Sequence, residues 1–173
     1  MARLFLSLLL FSGMASASPV LLSYFSSGQH IAPITLMKTM EQRFPGVISD
    51  FSVGVDDAQL VYQIEIINPK TKSLIELSIL AKNGEIIKHE YEGLKEDDAD
   101  KLIVTQHMEA KKLAFSTIVQ KTMQNNSSQL IDAELDHDLG INYLELELLS
   151  DNGMHKFAFD VDQGKPLPLL TWD

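Results

Sequence analysis

The sequence predicts an α+β fold of two repeated units, each a helix packed on a three-stranded antiparallel sheet. Three observations predict it. Runs that alternate apolar and polar residues follow stretches with helical periodicity, that order recurs once along the chain, and the recurrence is spaced by an even number of residues. Even spacing matters because strand side chains alternate faces, so an odd shift would turn every buried residue outward.

The chain opens "MARLFLSLLLFSGMASAS", with one cation at Arg3, an apolar run from Leu4 to Phe11 and the small-residue pattern Ala15-Ser16-Ala17. This pattern predicts a secretory signal peptide over residues 1–17, cleaved after Ala17. The apolar run is well short of the roughly 20 residues that span a bilayer. The expected location is therefore periplasmic or secreted, with no stable membrane insertion after cleavage. Residues 18–32, including "VLLSYFSSGQH", form an N-terminal extension that reads as a strand or short helix covering an edge.

Composition narrows the function classes. The chain has no cysteine, which excludes disulfides, thiol chemistry, cysteine-bound zinc and a lipid-modified N-terminus. Its 24 Asp and Glu outweigh 14 Lys and Arg. Without Arg3, thirteen cations face those 24 acids, a net of about −11 that repels nucleic acid and anionic lipid. A basic or neutral protein partner fits that charge, and solubility alone also accounts for it.

The first unit spans residues 33–90. "PITLMKTMEQRFPG" sets Leu36, Met40 and Phe44 at helical spacing, with Pro33 suited to a first turn and Pro45-Gly46 to a stop. Strand-like runs follow at 47–55, with Val47, Phe51, Val53 and Val55 on one side, at 60–67, and at 73–81, with Ile75, Leu77 and Ile79 together. "KNGEIIKHE" closes the unit with a turn and a short apolar tail. Residues 91–108 read as a linker whose short helix starts near Asp97 or Asp98; one long helix from about Asp98 to Gln124 is the competing reading. The second unit, 109–173, repeats the order: a helix through 109–124, then "SQLIDAELDHD", "INYLELELL", "MHKFAFDV" and "DQGKPLPLL". Asp151-Asn152-Gly153 is a strong hairpin signal, and Asn68 to Lys72 a looser one.

An offset of 80 aligns the strands, pairing Glu65 with Glu145 and Gly84 with Gly164; an offset of 79 stacks Leu36, Met40 and Phe44 on Phe115, Val119 and Met123. The even register turns Leu60, Tyr62, Ile64 and Ile66 inward and Gln63 and Glu65 outward. It likewise turns Leu144, Leu146 and Leu148 inward, with Tyr143, Glu145 and Glu147 outward. The two tyrosines are thus not equivalent.

Signatures of known chemistries do not occur: there is no H-E-x-x-H, phosphate-binding loop, G-x-S-x-G, G-x-G-x-x-G or EF-hand loop. The five histidines are scattered, and no serine sits on an elbow-like turn. Asp136-His137-Asp138, with His155 nearby, is the best metal candidate, yet in a strand the two aspartates point away from the histidine. Glu145 and Glu147 stand roughly 7 Å apart, a spacing two-carboxylate hydrolases use. On an outward face they read instead as solvated acids, and Glu65 has no second acid beside it in its own strand. The run Glu96-Asp97-Asp98-Ala99-Asp100 lacks calcium-loop spacing and suits helix capping. Asn125-Asn126-Ser127 fits a glycosylation sequon too common to carry weight. No catalytic residue, metal site or cofactor is expected.

Tyr62-Gln-Ile64-Glu-Ile66 is similar to the tyrosine strand of PepSY domains. Ala81-Lys-Asn-Gly84-Glu85-Ile-Ile and Val161-Asp162-Gln163-Gly164-Lys165-Pro-Leu resemble that family's closing strand and turn. The likeness covers about 33–90 and 109–169. It departs at Ala81 and Lys82, where the family has an acid, and in the displaced tyrosine of the second unit. The resemblance implies a noncatalytic exported domain that binds and modulates another extracytoplasmic protein, such as a peptidase, in the manner of an inhibitor, or a sensor. Gln63, Glu65, Tyr143, Glu145 and Glu147 form the expected partner surface. The alternative is a periplasmic module binding a small ligand or metal between the units.

Overall fold

A computed structural model describes residues 14–124 and 127–168. In chain order the elements are α1 (Met14–Ser26), α2 (Pro33–Arg43), β1 (Val47–Asp56), β2 (Gln59–Asn68), β3 (Ser73–Leu80), β4 (Ile86–Gly93), α3 (Ala99–Lys111), α4 (Phe115–Thr122), β5 (Gln129–Asp138), β6 (Ile141–Ser150), β7 (Gly153–Asp160) and β8 (Lys165–Leu167). The strands form one antiparallel sheet in the order β4-β3-β2-β1-β5-β6-β7-β8. This overturns the expectation of two repeated units, each a helix on three strands. The first half contributes a fourth strand, β4, where a turn and tail were expected, and β1 pairs directly with β5. A single sheet removes two of the four edges that separate sheets would expose.

One face of the sheet is apolar. Phe51, Tyr62, Ile64, Leu77, Ile79, Leu135, Leu144, Leu146 and Phe159 belong to one buried cluster with Leu21 and Phe25 of α1, Leu36 and Met40 of α2, and Phe115 and Val119 of α4. Pro33 stands at the start of α2, and Leu36, Met37 and Met40 are its buried residues. Glu41 of α2 accepts hydrogen bonds from the backbone N–H and hydroxyl of Ser116, at 2.9 and 2.6 Å, satisfying a free donor in the first turn of α4. Gly46 ends the α2 segment with φ +135°, and a Cβ there would lie 2.5 Å from the Ile67 carbonyl oxygen. Only glycine fits so close an approach.

The second unit's long helix is corrected too. Residues 109–124 divide between the end of α3 and α4, because Lys112 takes the left-handed conformation (φ 54°). Leu113 N–H then bonds the Met108 carbonyl, closing α3 in a Schellman-like cap that uses lysine in place of the usual glycine. The segment 91–108 begins with the end of β4, passes a 3-10 turn at Glu96–Asp98 and enters α3 at Ala99, next to Asp97 and Asp98, where its short helix was expected to start. The extension 18–32 carries most of α1, whose Tyr24 hydroxyl donates to the Ala58 carbonyl at the β1–β2 turn. The signal-peptide reading falls mostly outside the described residues, and the sequon asparagines at 125 and 126 lie wholly outside them.

The ladders revise the register. Asp50 opposite Glu65 in β1–β2 matches Asp132 opposite Glu147 in β5–β6, a shift of 82 residues, so Glu147 rather than Glu145 occupies the place of Glu65. The shift falls to 80 beyond, where Glu76 matches Lys156. The cause is loop length, because residues 69–72 join β2 to β3 whereas 151–152 suffice between β6 and β7. A bulge between Ile48 and Asp50 also separates Val47, opposite Ile67, from the face that carries Phe51. Val47 therefore does not share a side with Phe51, contrary to simple alternation.

Candidate functional site

The other sheet face carries acids in cross-strand register. Glu90 of β4 stands opposite Glu76 of β3, Glu76 opposite Glu65 of β2, Glu65 opposite Asp50 of β1, Asp50 opposite Glu134 of β5, and Glu134 opposite Glu145 of β6. At about 4.8 Å per strand this row extends roughly 24 Å. The neighbouring row runs Lys88, Ser78, Gln63, Ser52, Asp132, Glu147 and Lys156, so lysines close it at both ends.

Helix α3 lies across the middle of this face, against β1, β2 and β5. Its Lys101, Val104, Thr105 and Met108 are spaced at i, i+3, i+4 and i+7, a single stripe on a helix. Val104, Thr105 and Met108 are buried. The Lys101 ammonium lies 2.9 Å from Glu134, 3.3 Å from Glu65 and 3.6 Å from Asp50. Burial works against its charge, but Glu65, Asp50 and Glu134 together outweigh that and hold its pKa above the ordinary lysine value.

Burial and the crowding of acids raise several of these carboxyls. Burial first, then Glu65, Asp132 and Glu134, push Asp50 up to about 8 despite Lys101. Asp132 rises to about 6 through burial and the charges of Glu134 and Glu147. Glu76 and Glu145 are raised in the same direction, by burial foremost. At neutral pH Asp50 therefore keeps its proton, and Lys101 is shared mainly by Glu65 and Glu134.

The sequence-predicted partner residues Gln63, Glu65, Tyr143, Glu145 and Glu147 all fall on this face. Gln63 and Glu145 are exposed, whereas Glu147 is buried, and Glu65 is far from alone, with Asp50, Glu76 and Lys101 around it. Tyr143 donates its hydroxyl to Asp136 at 2.8 Å. Tyr62 lies on the apolar face, fully buried, with its hydroxyl on the Ile31 carbonyl at 2.9 Å and its ring 5.3 Å from that of Phe51. Sequence reasoning missed Asp50, Asp132, Glu134 and Lys101. The i, i+2 spacing of Asp132 and Glu134 within β5 was the available signal; nothing local marked Lys101.

The metal candidate does not assemble. Asp136 accepts from Tyr143, while the His137 ring faces Asn142, 2.8 Å from its side-chain oxygen. Among the described residues no three His, Asp or Glu converge as metal ligands. A separate polar chain ties the sheet end to α3: Asn142 donates to Asp162, and His107 and Lys111 meet the same carboxylate at 2.6 and 2.5 Å. The Lys111 contact, with help from Asn142 and His107, lowers Asp162 to about 2. Surface hollows are lined elsewhere, by Leu22, Phe25 and Gln129, by Glu41, Val47 and Phe115, and by Gln29, His30 and Lys82. The row of acids lines none of these hollows: its centre lies beside α3, and its ends, Glu90 and Glu145, are exposed.

No family model matches the chain, and no curated protein matches it. A search of solved structures finds a lipoprotein candidate from Clostridium difficile 630, 16% identical, with 80% of this chain and 92% of that one covered and a TM-score of 0.45. No helix among the described residues is long and apolar enough to cross a membrane.

Proposed function

We propose that the chain is an exported, noncatalytic PepSY-like protein that binds and modulates another extracytoplasmic protein, a peptidase or a sensor, through the acidic face of its sheet. The observation that carries this reading is the six-strand row from Glu90 to Glu145, six acids against the two cations that reach it, Lys101 at Glu65, Asp50 and Glu134 and Lys88 at Glu76 and Glu90, with Glu145 left exposed. Carboxylates spread in a row suit a broad, positively charged partner surface, and they raise the rate of encounter with it. General acid–base chemistry, by contrast, needs groups converging on a bound substrate. Export rests on the N-terminal signal pattern.

A photo-crosslinking residue placed at Glu145, with a control at Thr39 on the exposed side of α2, tests the reading in an extracytoplasmic extract of the producing cell. The expected result is one protein adduct from the Glu145 site, lost at high salt and absent from the Thr39 site. No adduct, or equal labelling from both positions, would overturn it.

A further inference from the structure

We propose that two copies of the chain associate through β4, by an antiparallel β4–β4 pairing with its two-fold axis at His89, so that the sheets of both copies run on as one. The edges of the sheet are β4 and β8, and β8 has only three residues, whereas β4 has eight. A free edge of that length presents a row of unpaired backbone donors and acceptors.

The side chains of β4 say what fits there. Ile87 and Tyr91 are both large apolar groups left in water, 47% and 67% exposed. Ile87 is the extra residue of a bulge, since Ser78 pairs with Lys88 and Ile79 with Ile86, leaving Ile87 no partner on β3. Between them Lys88 and Glu90 point to the acidic face, half exposed and 3.0 Å apart.

A two-fold axis normal to the sheet keeps each face on its own side, so it must pass through a residue and not between two. An axis at Lys88 would set that lysine against its own copy, and one at Glu90 would do the same with glutamate. With the axis at His89, Lys88 faces Glu90 of the second copy twice over, and Ile87 faces Tyr91 twice over. Directly opposed side chains in such a ladder have Cβ atoms roughly 5 Å apart, close enough for both kinds of contact. Charges and a bulge on an edge strand ordinarily keep other strands away. Here the same charges read as their own complement, which makes a second copy the occupant that the edge accepts.

The test is molar mass by light scattering on the purified chain and on the variants K88E and E90K, with circular dichroism as a check of folding. Wild type is expected to show twice the monomer mass by roughly 100 μM. Each single variant places like charges opposite one another and is expected to weaken association at least tenfold. Mixing the two single variants restores opposite charges at both pairs and is expected to recover a mixed dimer, as is the double variant K88E/E90K. A wild type that stays monomeric, single variants that still dimerise, or a mixture that stays monomeric would each overturn the proposal.

Discussion

Asp50 of β1 and Glu134 of β5 stand directly opposite each other at the seam between the two halves of the sheet, and the Lys101 ammonium lies within 3.6 Å of both. The seam is thus fastened by a residue from neither strand. Its cation also holds α3 against the acids at the centre of that face.

Replacing that cation is expected to loosen both α3 and the seam. Lys101→Met keeps the aliphatic stem but leaves Asp50, Glu65 and Glu134 uncompensated. Removing one partner of a buried ion pair costs about 3–5 kcal/mol, and the partial exposure of Glu134 reduces this to about 2 kcal/mol. Urea denaturation should show the loss to be larger near pH 9, where Asp50 is ionised, than near pH 5. Hydrogen exchange should quicken in α3.

Asp50 gives stability an unusual pH slope. Its folded pKa, about 8, lies above the ordinary value of 3.8, so the folded state holds a proton that the unfolded chain releases. The associated stability is fully present below about pH 4 and is lost as pH rises to about 8. Asp132 acts in the same direction up to about pH 6, while Asp162, lowered to about 2, acts oppositely below pH 4. The wild-type chain should therefore lose about 3–5 kcal/mol between about pH 5 and pH 8, and Asp50→Asn should flatten most of that slope in urea melts.

The two tyrosines should respond differently to loss of the hydroxyl. Tyr62→Phe leaves the Ile31 carbonyl without its donor in a buried site and is expected to cost about 1–2 kcal/mol. Tyr143→Phe gives up a bond to Asp136, which is only half-buried, and should cost about 0.5 kcal/mol or less. Equal losses in thermal melts of the two variants would contradict the assignment of their faces.

Much of the strand layout was legible because burial imposes a period of two. Ile64, Ile66, Leu144 and Leu146 alternate with polar residues, and their common face follows whether the second half is shifted by 80 or 82. The exact shift was not legible, since it depends on a four-residue loop at 69–72 against two residues at 151–152. Strand β4 was also hidden: its pattern of Ile, Lys, His, Glu and Tyr is that of an exposed edge, without the apolar run that marks a core strand. The acid row was half legible. Glu65 and Glu145 announce outward positions on their own strands, but that six acids align depends on pairings between strands distant in sequence.

By itself the sequence determined the local matters: alternating strands, the α2 helix with its Pro33 start and Gly46 stop, the hairpin at Asp151-Asn152, and the inward Tyr62 against the outward Tyr143. These follow from steric and hydrophobic preferences acting over a few residues. The tertiary structure alone decided that β1 pairs with β5 to make one sheet, and that α3 crosses the acidic face. It also decided that Lys101 meets acids 33 to 51 positions away, Glu65 behind it and Asp50 farther behind, with Glu134 ahead. Electrostatic energy and edge pairing depend on distance in space, and distance in space is what a linear pattern of residues does not carry.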